Sequence, residues 1–107
     1  FYRPGNFLTK NLIELKDCDE CLIEGNVFRG SYIGPDAGQG ACISITAATG
    51  SGFGSGYHRN YNVTVRNNWC DQTYSGLTAG NGVIDGPGFD QLPMRNIVFE
   101  NNLVTNL

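Results

Sequence analysis

Three segments of the chain share one pattern, in which apolar and polar positions alternate and are followed by an asparagine and a further apolar residue. They read CLIEGNVF over residues 21–28, VTVRNNWC over residues 63–70 and IVFENNLV over residues 97–104. A period of two is typical of β-strands with one buried face. The segments follow one another at offsets of 42 and 34 residues, within the range of stacked repeat proteins. We therefore expect a repeat architecture built from strands.

Alignment of the three segments predicts which side chains share a column of the stack. The expected inward columns are Cys21, Val63 and Ile97; Ile23, Val65 and Phe99; and Phe28, Cys70 and Val104. The expected outward columns are Leu22, Thr64 and Val98, and the charged set Glu24, Arg66 and Glu100. Opposite charges on adjacent strands form modest surface pairs, so this last column predicts a charge ladder that helps to fix the register.

A second strand repeats between these segments. It reads NLIEL over residues 11–15, ACISI over residues 41–45 and SGLTA over residues 75–79. Its inward columns are Ile13, Ile43 and Leu77, and Leu15, Ile45 and Ala79. The first repeat is shorter than the other two, because it lacks a loop of roughly twelve residues between its two strands. Each repeat leaves room for a third short strand or loop.

The motifs CLIEGNVF, NVTVRNNWC and NIVFENNLV resemble the coil consensus of right-handed parallel β-helix repeat proteins, the pectate-lyase-like superfamily. The stretch KNLIELKDCDECLIEGNVF is similar to coils of secreted bacterial members with no assigned activity. The resemblance covers about residues 11–107 and implies an all-β solenoid of about three coils. We expect the chain to form one unit over residues 1–107, with coils near residues 11–40, 41–74 and 75–107.

The same resemblance implies an asparagine ladder at the bend of each coil, formed by Asn26, Asn68 and Asn102. A buried amide is tolerated when its donors and acceptors are paired, and an equivalent amide in the next coil supplies that pairing. The residues beside the ladder, Gly25, Asn67 and Asn101, mark the bend itself. Neither end of the chain has a capping helix, so we expect further coils or another chain at the open ends of a longer β-helix.

The composition of the chain limits the classes of partner that it is expected to bind. Charged residues make up 16% of the 107 residues and the net charge is −3, which leaves no basic surface for nucleic acid. No apolar run is long enough to span a bilayer.

The spacing Cys18-x-x-Cys21 fits half a zinc site or a redox pair, but no second such pair follows, so no metal site is predicted. Buried thiols are favoured, and a disulfide between any two of Cys18, Cys21, Cys42 and Cys70 is the alternative.

Three insertions are expected to leave the coils as loops, over residues 29–40, 46–62 and 80–96. The last two begin and end at equivalent points of successive coils, so they should lie side by side. Aromatic rings stack on sugars, and charged side chains bind hydroxyls or carboxylates, so these loops predict a ligand edge. The candidate ligand-binding residues are Tyr57, His58, Arg59, Asp85, Phe89 and Asp90. Packing of the aromatic residues back onto the coils is the alternative.

Function is therefore predicted as binding of a polysaccharide or oligosaccharide by a secreted or cell-surface β-helix. The first alternative is part of a polysaccharide lyase or glycoside hydrolase. The resemblance would then imply clustered aspartates with calcium and an arginine base, or aspartates acting as acid and base, and the sequence identifies no such catalytic set. Calcium would be a cofactor only in the lyase case. The second alternative is a structural stalk or adhesin spacer.

Overall fold

A computed structural model describes residues 10–32, 40–46, 60–80 and 94–107 of the chain. All regular structure in these residues is β-strand. The nine strands are β1 (Ile13–Leu15), β2 (Cys18–Glu24), β3 (Val27–Ser31), β4 (Ala41–Thr46), β5 (Asn60–Arg66), β6 (Trp69–Thr73), β7 (Ser75–Gly80), β8 (Arg95–Glu100) and β9 (Leu103–Thr105). No described segment forms a helix that could cross a membrane.

The strands form three parallel sheets of three strands each, in the orders β1-β4-β7, β2-β5-β8 and β3-β6-β9. We call these the first, second and third sheet. The chain visits all three sheets in turn before returning to the first, so strands β1 to β3, β4 to β6 and β7 to β9 make up three successive layers. This all-β arrangement of parallel strands is compatible with a β-helix-like fold.

The registers of the sheets confirm the predicted columns. Cys21 pairs with Val63 and Val63 with Ile97, while Ile13 pairs with Ile43 and Ile43 with Leu77. The column that contains Cys70 is also in register across the third sheet. Apolar periodicity set these pairings because a slip of one residue would turn every inward side chain toward solvent.

The core lies in the middle layer, which has a neighbouring layer on both sides. Its fully buried residues are Cys42, Ile43, Ile45, Val63, Val65 and Cys70. A disulfide joins Cys42 on the first sheet to Cys70 on the third sheet. The expectation of buried thiols is therefore corrected: these two cysteines are buried, but they are linked. A second disulfide joins Cys18 and Cys21.

Residues with positive φ recur at three positions in every layer. They are Glu20, Gly25 and Gly30; Asn62, Asn67 and Gln72; and Asn96, Asn101 and Asn106. Glycine and asparagine adopt this left-handed conformation at low cost, and a single such residue redirects the chain without ending the sheet. The sequence pattern had indicated only the middle column, at the bend beside the asparagines.

The predicted loop boundaries are corrected at their ends. Strand β3 extends to Ser31, so residues 29–31 belong to a sheet and not to the 29–40 loop. Strands β4 and β7 include Thr46 and Gly80, and strands β5 and β8 begin at Asn60 and Arg95. These ends are rich in small and polar residues, which the apolar pattern does not detect. Backbone hydrogen bonding between parallel neighbours nevertheless extends the strands through them.

Candidate functional site

The predicted ligand-binding residues lie outside the described part of the chain. They are Tyr57, His58, Arg59, Asp85, Phe89 and Asp90, within residues 47–59 and 81–93. The described strands do fix where these two segments start. Residues 47–59 follow Thr46 at the end of β4, and residues 81–93 follow Gly80 at the end of β7. Thr46 and Gly80 are paired neighbours, so both segments leave from one edge of the first sheet.

The three asparagines of the predicted ladder lie in one column and bond to one another. The side-chain nitrogen of Asn26 donates to Oδ1 of Asn68, and the side-chain nitrogen of Asn68 donates to Oδ1 of Asn102, both at 3.0 Å. The Asn68 nitrogen also donates to the carbonyl of Ile23 at 2.9 Å. These bonds satisfy the buried amide of Asn68 within the protein.

The predicted charge column is also in place on the outer face of the second sheet. Arg66 lies between two glutamates, with Nε 2.7 Å from Oε1 of Glu24 and Nη1 3.8 Å from Oε1 of Glu100. The hydrogen bond from Arg66 lowers the pKa of Glu24 below its ordinary value of 4.5. These charges are satisfied by one another. The column therefore favours a structural role.

A polar groove on the outer face of the first sheet is a candidate site that the described residues form. We call it the first-sheet groove; it has a volume of about 270 Å³. Its walls are Asn11, Glu14, Lys16, Ala41, Ser44, Thr46, Ser75 and Thr78. The three strands bring these residues together by register, because Glu14 pairs with Ser44 and Ser44 pairs with Thr78.

Charge in the first-sheet groove centres on Glu14. Its carboxylate lies 2.6 Å from Nζ of Lys16 and 3.0 Å from Nζ of Lys10. Partial burial raises the pKa of Glu14, but the hydrogen bonds and positive charges of the two lysines outweigh burial, and the pKa is lowered below 4.5. Glu14 is therefore ionised at neutral pH, where it can accept hydrogen bonds but cannot serve as a general acid.

Hydroxyl groups line the remainder of the first-sheet groove. The Ser44 and Thr46 hydroxyl oxygens are 3.2 Å apart and hydrogen-bonded, and Ser75 and Thr78 add two more hydroxyls. Hydroxyls both donate and accept hydrogen bonds, so this surface is suited to a hydroxylated ligand. Glu14 is the only carboxylate among its described walls. These residues alone do not form the carboxylate pair of a glycoside hydrolase.

The first-sheet groove was not predicted from the sequence, although the residue pattern contains a signal for it. The apolar pattern placed Glu14, Ser44 and Thr78 between inward positions, which makes them an outward column. The column was not predicted to be a site, because no motif links polar residues that are about 30 residues apart. A second, shallow depression of about 360 Å³ lies on the second sheet beside Glu20, Leu22 and Arg66. Of its two charged side chains, Arg66 already pairs with Glu24 and Glu100.

Comparison with known proteins adds no family to these observations. No protein-family model matches the chain, and no curated protein or solved structure is significantly similar to it. The function must therefore be argued from the residues themselves. Within the described segments, no group of three or more histidine, cysteine or acidic side chains is arranged to hold a metal ion.

Proposed function

We propose that this protein is a right-handed parallel β-helix of a secreted or cell-surface protein, and that it binds a polysaccharide along the first sheet. The binding surface would combine the first-sheet groove with residues 47–59 and 81–93, the parts of the predicted loops 46–62 and 80–96 that lie outside the described strands. The observation that carries the proposal is the position of the groove. Its hydroxyl-lined wall reaches Thr46, at the edge from which both loop segments start.

The architecture part of the proposal rests on topology. Three layers of parallel strands, each visiting three sheets in turn, and a column of bonded asparagines are what stacked coils require. A right-handed connection is expected because about 98% of parallel crossovers have this hand. This topological argument does not depend on any ligand.

The extracellular part of the proposal rests on the cysteines. All four are paired, as Cys18 with Cys21 and Cys42 with Cys70. Disulfides persist mainly in oxidising compartments, such as the outside of the cell or the bacterial periplasm. A protein in which every cysteine is paired therefore suits a secreted or cell-surface location.

The ligand part of the proposal rests on the chemistry of the first-sheet groove. A fixed carboxylate at Glu14, an ammonium at Lys16 and several hydroxyls can hydrogen-bond the hydroxyls of sugar units. The candidates Tyr57 and Phe89 belong to the segments that follow Thr46 and Gly80 in the chain, and they would add aromatic faces for stacking. A polysaccharide that crosses the three strands would contact equivalent residues of successive layers, such as Glu14, Ser44 and Thr78. Repeated sugar units could then bind repeated positions of the sheet.

The test is glycan-array binding of the intact chain, with Thr78→Ala in the groove and Thr64→Ala on the second sheet as a matched control. Binding that Thr78→Ala, Tyr57→Ala or Phe89→Ala weakens at least about fivefold, and that Thr64→Ala leaves unchanged, supports the proposal. Release of reducing ends or unsaturated products, with or without calcium, would replace it with the enzyme alternative. Absence of both binding and turnover would favour the spacer.

A further inference from the structure

The two disulfides of the chain lie in different surroundings. Cys42 and Cys70 are both 0% exposed, and their disulfide joins two sheets across the core. Cys18 and Cys21 lie on one strand, β2, and both are partly exposed. Cys21 also contributes to the walls of the shallow depression on the second sheet. Thiol–disulfide exchange requires an attacking thiolate to reach a sulfur atom, so the Cys18–Cys21 disulfide is open to exchange and the Cys42–Cys70 disulfide is not.

A corner in β2 brings these two cysteines together. Residues that are three apart in a regular strand point to opposite faces, because successive side chains alternate. Glu20 lies between the cysteines with a φ of 61°, in the left-handed region. The corner at Glu20 leaves the Cα atoms of Cys18 and Cys21 6.2 Å apart, and both cysteines pack against the buried core.

The same corner forms in the next layer without a disulfide. In strand β5, the residues that pair with the two cysteines are Asn60 and Val63, and both are buried. Asn62 lies between them with a φ of 53°. Hydrogen bonding between neighbouring strands is therefore sufficient to hold this corner. We expect the reduced form of β2 to keep the same backbone, which a reversible redox site requires.

A buried amide beside Cys18 favours the reduced form. Asn60 is 0% exposed, and its Nδ2 donates to the carbonyl of Leu15 at 3.3 Å. Its Oδ1 has no hydrogen-bond partner among the described residues. Asn60 and Cys18 are paired neighbours on parallel strands, so their side chains point to the same face. A disulfide sulfur has no hydrogen to donate, whereas the S–H of a reduced Cys18 can donate to this oxygen and satisfy it.

The surroundings of the Cys18–Cys21 disulfide are acidic. The exposed carboxylates of Asp17, Asp19 and Glu20 lie beside or between the two cysteines. Cations on the surrounding strands are distant or paired with other carboxylates: Arg95 is two strands away on β8, Lys16 pairs with Glu14, and Arg66 pairs with Glu24. A negatively charged thiol is therefore repelled, and a thiol beside a positive charge is attracted.

We propose that the Cys18–Cys21 disulfide is a thiol–disulfide exchange site that oxidises thiols flanked by basic groups, such as a cysteine in a lysine- or arginine-rich peptide segment. A substrate thiolate attacks Sγ of Cys21 and forms a mixed disulfide, and Cys18 leaves as a thiolate that takes a proton from water. A second substrate thiolate then attacks the substrate sulfur of the mixed disulfide. This step releases the substrate disulfide and the Cys21 thiolate, which is protonated in turn.

Two electrons and two protons thus pass from two substrate thiols to the protein, and a small-molecule disulfide such as oxidised glutathione reverses the reaction. Asn60 is a positioning residue that stabilises Cys18 once it is reduced, which makes Cys18 the leaving group. This goes beyond the proposed function, because it adds redox chemistry on the second sheet. It does not require the first-sheet groove to bind anything.

The test treats the intact, oxidised protein with cysteamine, a cationic thiol, or with mercaptopropionate, an anionic thiol, in mildly alkaline buffer. Acid quenching, alkylation and peptide mass spectrometry then report the state of each cysteine. We expect the Cys18–Cys21 disulfide to open at least about tenfold faster than the Cys42–Cys70 disulfide. The thiol adduct should be on Cys21 and the alkyl label on Cys18. The circular dichroism of the native protein should persist, and oxidised glutathione should restore the disulfide.

Matched variants test the roles of charge and of Asn60. The ratio of the cysteamine rate to the mercaptopropionate rate should fall at least about threefold in Asp17→Asn/Glu20→Gln, and comparison of ratios removes the intrinsic reactivity of each thiol. Glu100→Gln removes an exposed carboxylate from the third layer of the same sheet and should leave the ratio unchanged. Asn60→Leu should lower the equilibrium constant for reduction of this disulfide by glutathione at least about threefold. Thermal unfolding checks that each variant is folded.

Several outcomes would overturn the proposal. Equal rates of opening for the two disulfides, or loss of the native circular dichroism when Cys18–Cys21 is reduced, would make this disulfide a structural link only. An adduct on Cys18, or an equilibrium constant that Asn60→Leu leaves unchanged, would contradict the order of attack. A rate ratio that Asp17→Asn/Glu20→Gln leaves unchanged would remove the preference for basic thiols. Glycan binding enters none of these measurements, so failure of this proposal and failure of the groove proposal are distinguishable.

Discussion

The side-chain oxygen of Asn68 accepts two hydrogen bonds from Asn26, one from its backbone nitrogen and one from its side-chain nitrogen, both at 3.0 Å. Asn102 receives the same pair of bonds from Asn68 in the next layer. Asn68 is 2% exposed, and each of its side-chain atoms therefore depends on protein partners. The middle asparagine joins the layers on either side of it.

Replacement of Asn68, the middle asparagine, should destabilise the fold. In Asn68→Ala, the backbone nitrogen of Asn26 loses its acceptor and the side-chain oxygen of Asn102 loses one of its two donors. We therefore expect the free energy of unfolding to fall by about 1–3 kcal/mol. Asn26→Ala is the matched variant, because Asn26 is exposed and has a ladder partner on one side only. Urea denaturation followed by circular dichroism should show the smaller loss for Asn26→Ala. Equal losses would contradict this account of the ladder.

The disulfide between Cys42 and Cys70 should stabilise the protein more than the one between Cys18 and Cys21. It closes a loop of 28 residues across the core, whereas the other closes a separation of three. Loss of a disulfide typically costs about 2–4 kcal/mol and more for longer loops. We expect the Cys42→Ala/Cys70→Ala variant to melt well below the Cys18→Ala/Cys21→Ala variant in calorimetry. A reversed order would refute the prediction.

Gly76 should not tolerate a larger side chain. A Cβ added there would lie 3.2 Å from both methyl carbons of Val104, at the position equivalent to the Cys42–Cys70 pair of the middle layer. We expect Gly76→Ala to destabilise the fold by about 1–3 kcal/mol through overpacking. In Gly80→Ala, the added carbon meets no described atom within 4 Å, so this variant is the control.

A double variant provides an internal check on the Gly76 prediction. Val104→Ala removes the methyl groups that the new carbon would meet. If close contact is the cause, Gly76→Ala/Val104→Ala should be more stable than the sum of the two single losses predicts. Strict additivity of the three free energies of unfolding would show that the contact is not responsible.

Stability should fall as the solution is acidified below about pH 4. The hydrogen bond from Asn106, with help from Thr105 and Arg29, lowers the pKa of Asp71 below its ordinary value of 3.8, although burial opposes the shift. A carboxylate with a depressed folded-state pKa contributes stability above its unfolded pKa and loses it as the pH falls through the folded value. The urea concentration at the midpoint of unfolding should therefore decline as the pH is lowered from 6 to 2.

The matched variants identify which carboxylate is responsible for this decline. Asp71→Asn should be less stable than the parent protein at pH 6, and its midpoint should fall less steeply between pH 4 and pH 2. Glu20→Gln removes an exposed carboxylate outside the network and should follow the parent curve. If Asp71→Asn and the parent protein decline in parallel, the network of Asp71 is not the source of the acid sensitivity.

The amino-acid sequence by itself determined the strand registers and the columns of the three sheets. Alternating apolar residues can be buried on one face only, so the pattern of Ile23, Val65 and Phe99 leaves a single consistent alignment. Oppositely charged residues in that alignment, such as Glu24 and Arg66, then pair without further information. These features are local to one strand or repeat at a fixed offset, so they can be predicted from the amino-acid sequence alone.

Only the tertiary structure decided which polar residues act together. The Cys42–Cys70 disulfide, the first-sheet groove around Glu14 and the contact of Arg29 with the Trp69 ring each join residues from different strands, and no sequence motif links them. Arg29 had been assigned to a loop, because the apolar pattern ends before it. Its place in a sheet follows from backbone pairing with Asp71, and that pairing brings the charge to the tryptophan.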